Sequence, residues 1–404
     1  MIICKRCLFI IICFLSLSVL GQNNSIWNSN PQIDTSEVGK LFLNIDNLNF
    51  FKDNEFSAEK VSGYTLPGFC LSTSLSMAIY DNLLLEAGVY ALNYWGTNKY
   101  PMYSYLDISP WKAEKYQYFF HFLPIFKAQV SLKNYLHLIF GTLYQNNNHN
   151  LITPLFNPEF NLSSDPETGV QLLFNSKHFE ADLWLNWQSF IFRYDTHQEV
   201  FSIGLSTKTK ILKPQNKFEL YIPLQIIAQH RGGEMDTIFK DNLQTWTNYA
   251  LGFGIRYNKI NRFINYIGFE FYYAGFIQNV GTMLPFKKGY GFYPKLNLGI
   301  KDFDFTLSYW DSEDFVSILG SPHFWNISTN TEGLVFDRMK MIHSKLEYNY
   351  KSFDRFVLGL MGEAYYYFPF TGDRPGYIKV IRGDAISFSF GIFLKINPKF
   401  RLLN

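Results

Sequence analysis

The chain has 404 residues, of which 47% are hydrophobic, 19% aromatic and only 17% charged, with a formal net charge of +2. Those figures exclude a disordered chain, a collagen-like chain and a long coiled coil, which need far fewer aromatics or far more Ala, Glu and Lys. Forty-one Phe and 27 Tyr beside a slightly negative mean hydropathy imply that aromatic side chains serve somewhere other than a simple core.

Residues 1–21 begin with Lys5 and Arg6, continue in an apolar run over 7–20 and end on the small Gly21. This is the pattern of a secretory signal peptide cleaved near Gly21. The run is shorter than the roughly 18 residues a helical span needs, and Gln22, Asn23 and Asn24 follow it. Without Lys5 and Arg6 the 36 basic residues fall to 34 and equal the 34 acidic ones. A neutral mature chain gives no electrostatic footprint for nucleic acid and no polybasic membrane patch. Cys4, Cys7 and Cys13 leave with the leader, so Cys70 stands alone, and neither an internal disulfide nor a Cys-based zinc site is expected. Residues 22–40 are expected as a periplasmic N-terminal segment.

The rest of the chain alternates. Over 69–80 one parity reads Phe69, Leu71, Thr73, Leu75, Met77, Ile79 and the other Cys70, Ser72, Ser74, Ser76, Ala78, Tyr80. Strand side chains point to opposite faces in turn, so such a segment has one oily and one polar face. The stretches 218–229 and 385–396 follow the same rule. Extended along the chain, it predicts about 16 strands, near 41–51, 68–80, 83–95, 118–131, 134–145, 168–176, 179–193, 198–211, 216–230, 247–258, 263–276, 291–300, 303–311, 339–350, 354–368 and 382–397. Many exceed the roughly 5 to 6 residues of ordinary strands and suit a tilted crossing of hydrocarbon, which takes about 9 to 11.

Short turns near 81–82, 132–133, 176–178, 212–215, 258–262, 301–302 and 351–353 alternate with long polar stretches at 52–67, 96–117, 146–167, 231–246, 277–290 and 311–338. The fold expected is all-β: a transmembrane antiparallel up-and-down β-barrel of about 16 strands (14 to 18) spanning 41–397, with periplasmic turns, extracellular loops and a periplasmic tail at 398–404. A secreted β-sandwich or propeller also alternates, but its strands are shorter and its two sets of turns alike. Tyr94, Trp95, Phe192, Tyr194, Tyr257, Tyr309, Trp310 and the run 365–368 lie near strand ends, as interfacial girdles do. Pro124 and Pro223 lack a ladder donor and are expected at bulges.

If the oily parity meets lipid, the other meets the lumen, and it carries the charges, which lipid excludes at a cost of about 2 to 4 kcal/mol for a midplane Lys or Arg. Glu180, Asp182, Lys208, Glu219 and Arg256 cluster at the periplasmic ends of adjacent strands and are expected as cross-strand ion pairs. Glu86, Glu270 and Glu363, mid-strand without an obvious opposite charge, together with Lys127, are the candidates for a constriction that sets selectivity. Asp182, Asn186 and Gln188 with Trp184 have the composition of a sugar-contacting face, though any lumen strand is polar. The loop 146–167 holds His149, Asn157, Glu159, Asp165 and Glu167 at no recognised metal-site spacing, and reads as a solvated polar loop. Arg382-Gly383-Asp384 is a tripeptide too short to carry weight. No G-x-S-x-G elbow, P-loop or dinucleotide-binding glycine pattern occurs.

The leader ending Leu20-Gly21-Gln22, with FFKDNEF (50–56), GYTLPGF (63–69), NHNLITPLFNPE (148–159) and AQHRGGEMD (228–236), resembles porin-like outer-membrane β-barrel proteins of the Bacteroidota. The resemblance covers nearly the whole mature chain and implies no catalytic residue. The expectation is a non-enzymatic outer-membrane channel of a Gram-negative cell for small hydrophilic solutes or ions. Its partners are outer-membrane lipid, those solutes and a second copy of itself in a homo-oligomer. No cofactor, metal or nucleic acid is expected. The alternatives are an occluded barrel serving assembly or secretion, and a barrel-embedded hydrolase.

Overall fold

The computed structural model describes residues 30–56, 60–95, 120–190, 198–212, 217–233, 243–317, 319–331, 333–351, 356–373 and 380–403. The expected signal peptide, Phe192 and Tyr194 lie outside the described residues. The alternating segments form β1 Leu41–Glu55, β2 Tyr64–Tyr80, β3 Leu83–Tyr94, β4 His121–Lys133, β5 Leu136–Thr142, β6 Thr168–Asn175, β7 Phe179–Ser189, β8 Val200–Lys210, β9 Phe218–Arg231, β10 Gln244–Asn258, β11 Ile264–Val280, β12 Lys288–Ile300, β13 Phe303–Glu313, β14 Arg338–Lys351, β15 Phe356–Tyr367, β16 Ala385–Ile396 and β17 Lys399–Leu403. Each pairs antiparallel with its neighbour in one sheet of seventeen strands. That sheet closes because β16 returns to β1, from Asn47↔Ile396 to Glu55↔Phe388.

The result is a closed up-and-down barrel of sixteen staves, as the alternation predicts, with β17 as the lower half of the last one. The tail expected at 398–404 is therefore part of the wall: Lys399–Leu403 pairs with the first residues of β1. Several strands run higher than predicted, β1 to Glu55, β2 from Tyr64 and β11 to Val280. Polar residues pair as readily as apolar ones once the hairpin stands above the hydrocarbon. Pro124 and Pro223 mark no bulge. Pro124 lies above the point where β5 ends, and opposite Pro223 the β9–β10 ladder is interrupted between Leu251↔Leu224 and Gly254↔Tyr221.

One parity presents Phe122, Phe126, Leu251, Ile386, Phe388 and Phe390 outward, all exposed, as a lipid-facing belt. Trp95 and Tyr257 belong to that outer surface, but Tyr94, Trp310, Tyr365 and Tyr367 are 4% exposed or less and point inward. A run of aromatics at a strand end splits between the two faces, so only alternate members can join a girdle.

The upper half of the lumen is filled. The chain over 143–167, with α1 Asn146–His149 and α2 Phe160–Ser163, and the chain over 314–337 fold inward. Leu151, Ile152, Leu155, Phe156, Phe160, Phe315, Val316, Phe324, Trp325 and Ile327 pack against inward Trp184, Trp246, Trp310, Met339 and Met341 in one buried cluster. The two segments bond each other through Asn157 N–H to Leu319 O (2.7 Å) and Ser321 N–H to Thr153 O (3.0 Å), forming one plug. Below it the wall is lined by half-exposed charges. Residues 30–39 lie across the periplasmic end: Gln129 Nε2 donates to Pro31 O (2.5 Å), and Gly39 N–H to Ala78 O (2.8 Å), beside a polar cavity of about 300 Å³.

Candidate functional site

The loop expected to be solvated is the plug, and the reason lies in its polar residues. His149 is fully buried: Nδ1 is 2.7 Å from Asp182 Oδ2, Nε2 bonds Glu167, and the ring stacks on Trp184 at 3.8 Å. Burial opposes the charge on His149, but the Asp182 and Glu167 carboxylates outweigh it and push the imidazole pKa up to about 10. The ring is therefore an imidazolium with both N–H groups donating, an anchor and not a base. Gln171 Nε2 donates to Asp182 Oδ1 (2.8 Å), Asn186 Nδ2 to Glu167 Oε1 (3.2 Å) and Ser206 Oγ to His149 O (2.6 Å). Asn148, His149 and Asn150 adopt φ of 61°, 54° and 56°. That left-handed turn costs about 1 to 2 kcal/mol per ordinary residue, and the contacts of His149 offset it. Asp182, Trp184 and Asn186 thus hold the plug; they present no free sugar-contacting face.

A second polar cluster ties the plug to β1, β2 and β15. Lys52 Nζ donates to Glu159 Oε2 (2.6 Å) and lies 3.9 Å from Glu363 Oε2, while His343 Nε2 is 3.6 Å from Glu363 Oε1. Asn54 Nδ2 donates to Glu159 Oε2 (3.3 Å), and Tyr64 Oη to Glu159 Oε1. Lys52, Tyr64, Glu159 and Glu363 line a cavity of about 40 Å³ with His323, Lys345 and Tyr365, room for a water or two but not for a solute. Lys60 reaches Trp325 O (2.5 Å) between the Phe336 and Tyr367 rings, and burial drives its ammonium well below the usual lysine range. Burial, with Lys60 nearby, likewise keeps His323 neutral.

Each of the three expected constriction carboxylates has a lysine within 4 Å, and for Glu86 that lysine is the fourth candidate, Lys127. Glu86 and Lys127 face each other across β3 and β4 at 3.3 Å, Glu270 bonds Lys295 directly opposite, and Glu363 sits between Lys52 and His343. At the periplasmic end two of the expected residues form a cross-strand pair with each other, a third pairs across to a lysine outside the expected set, and two find other partners. Glu180 bonds Lys210, Lys208 lies 3.8 Å from Glu219, Asp182 serves His149, and Arg256 donates to Asn258 Oδ1 (2.8 Å) over the Tyr266 ring. Position along a strand is readable from sequence, but the rung opposite a given residue is set by the register across each loop, which is not.

Outside the barrel, polar side chains return at the extracellular rim. Asp53 and Thr65 oppose each other on β1 and β2, and Thr65 Oγ1 donates to Asp53 Oδ1 at 2.7 Å. Exposed Glu55 stands one outward position above, and Phe51 and Phe69 lie below. On the opposite side, His230 Nδ1 is 2.9 Å from Thr245 Oγ1, beside the stacked Phe201 and Trp187 rings. A carboxylate or imidazole bonded to a hydroxyl can take up that hydroxyl's proton, the elementary step of ester cleavage. Asp53, Thr65, His230 and Thr245 escaped the sequence analysis because they lie on the parity assigned to lipid. The signal available was polar residues on that parity at strand tops.

Among curated proteins none matches this chain. Among solved structures it is similar in barrel form to Pseudomonas aeruginosa OprD, at 9% identity over 94% of this chain and 100% of that one with a TM-score of 0.48. It is similar too to Acinetobacter baumannii OccAB1, at 12% over 90% and 98% with 0.49, and to a BenF-like porin from Pseudomonas fluorescens Pf-5, at 9% over 91% and 100% with 0.46. One family model matches residues 33–404, under the description Lipid A 3'-O-deacylase-type. That match overturns the expectation of a non-enzymatic barrel, because the family is named for an enzyme. With the whole of its described barrel inside the match, the chain belongs to the Lipid A 3'-O-deacylase-type family.

Proposed function

We propose that this protein hydrolyses an ester-linked acyl chain of lipid A, at a site on the outer face of the barrel's extracellular rim. The observation that carries this is its family membership across residues 33–404. Two features of the fold support the location. The acyl esters of lipid A lie in the outer leaflet, outside the wall, and the upper lumen is occupied by its own chain. The Asp53–Thr65 pair stands on that outer face, at the top of an apolar belt.

In this scheme Asp53 takes the proton of the Thr65 hydroxyl as Oγ1 bonds to the acyl carbonyl carbon. The proton passes to the departing sugar oxygen as the sugar ester bond breaks. Water, deprotonated by the same carboxylate, then cleaves the acyl–Thr65 ester to give a free fatty acid and restore the hydroxyl. The mature chain starts after Gly21 and resides in the outer membrane. Passive conduction, the channel expectation, is the second reading; among the described residues the plug packs a buried apolar cluster into the upper lumen, which favours the deacylase reading. The test uses purified protein with lipid A in detergent micelles. Wild type releases fatty acid, Asp53→Asn and Thr65→Ala lose at least about a hundredfold in rate, and equal release by both variants contradicts the site.

A further inference from the structure

Glu159 belongs to the plug, yet its carboxylate ends directly behind the rim pair. Asp53 faces Thr65 across β1 and β2, and the next rung pairs Asn54 with Tyr64. Those two side chains turn inward, and Glu159 accepts from both, from Asn54 Nδ2 at 3.3 Å and from Tyr64 Oη, while taking Lys52 Nζ at 2.6 Å. One carboxylate therefore holds the chain neighbours of Asp53 on both sides and the chain neighbour of Thr65. Three of the four groups are sealed from solvent, Lys52, Asn54 and Glu159 at 6%, 1% and 5% exposed, and Tyr64 is half-buried. Among the described residues Asn54 Oδ1 accepts no hydrogen bond, so Glu159 is what orients that amide.

Strand ends fray more readily than strand centres, and β2 begins at Tyr64, one residue before Thr65. The ladder holds β1 on both sides up to Asn54, whereas β2 pairs with β3 only from Gly68 down, so Tyr64 to Leu66 have β1 alone as a strand partner and the placement of Thr65 depends more on what the inward side chains hold. We infer that Glu159 is a positioning residue for the Asp53–Thr65 pair, through which the plug inside the barrel sets the geometry of chemistry on its outside. This rests on the site proposed above. Removing the carboxylate leaves buried Lys52 with only the more distant Glu363, 3.9 Å away, and takes from Asn54 and Tyr64 the acceptor they share, and the rungs they belong to loosen.

The test combines two readouts on the full chain in detergent micelles, hydrogen–deuterium exchange and release of fatty acid from lipid A. In Glu159→Ala, exchange rises over 50–56 and 63–68 and stays unchanged in β9 and β10. Turnover falls about tenfold to a hundredfold with KM little altered, as expected of a misplaced reacting group. Glu159→Gln, which keeps one acceptor oxygen, falls between it and wild type. Tyr64→Phe removes the hydroxyl that bonds Glu159 while keeping every charge, and gives the same pattern in smaller measure if Glu159→Ala fails to fold, which heat-modifiable gel mobility reveals. Wild-type exchange over those segments in a folded variant, or a loss confined to KM, overturns the inference. If wild type itself releases no fatty acid the deacylase proposal fails, while the exchange pattern still decides whether Glu159 holds the rim.

Discussion

At the extracellular end of the lumen Lys52 and Glu159 are 2.6 Å apart with side chains 8% and 4% exposed; at the periplasmic end Lys208 and Glu219 are 3.8 Å apart at 29% and 30%. Both pairs stem from the same alternating wall. The upper charges are met by residues of the plug, distant in sequence, and the lower ones mostly by the neighbouring strand. A buried pair that loses one partner strands the other in low dielectric, whereas a half-wet pair hands it back to water. The upper half is thus committed to one arrangement, and the lower half tolerates change.

The largest expected effect comes from removing what distinguishes the halves. Wild type inserted in a planar bilayer carries no steady current, and deletion of 150–163 yields stable single-channel steps, since barrels of about sixteen strands otherwise leave an aqueous channel. Conduction by wild type equal to the deletion variant breaks the comparison. Next comes His149→Ala, which leaves Asp182 and Glu167 facing each other without their cation. It lowers unfolding stability in detergent by about 3 to 5 kcal/mol, measured by denaturant titration.

The same anchor predicts a pH dependence. The folded pKa of His149 is about 10 against an ordinary 6.5, so its contribution is complete below the unfolded value. It declines as the pH rises above that value and is gone once the pH passes the folded one. Protease nicking within 150–163 should therefore quicken toward pH 10 in wild type, and a flat profile contradicts the imidazolium assignment. The smallest effect is at the periplasmic end, where Lys208→Met or Glu219→Gln changes stability by less than about 1 kcal/mol. A loss as large as that of His149→Ala would erase the contrast.

The barrel was legible because alternation at period two is a local property, repeated in every strand from Leu41 to Ile396. Two things were not. Glu86 and Lys127, and Glu270 and Lys295, face each other across hairpins joined by the connections 95–120 and 281–287. No short turn fixes the register there, so the partners could not be matched. The plug was missed because His149, Glu159 and Glu167 look like solvent-loving residues, and their partners lie in β1, β2 and β7. The usable signal was apolar: Leu151, Ile152, Leu155, Phe156 and Phe160, then Phe315 to Trp325, are too oily for loops that stay in water. Function was legible only as location, since Asp53 and Thr65 form no motif until β1 and β2 are paired.

The most direct test of the central claim, that a plugged barrel works on lipid outside its wall, is the mass of lipid A extracted from cells making this protein. The prediction is a species lighter by one ester-linked acyl chain, absent when Asp53→Asn or Thr65→Ala is made at the same level. Lipid A unchanged in mass beside a correctly inserted wild-type barrel contradicts the account.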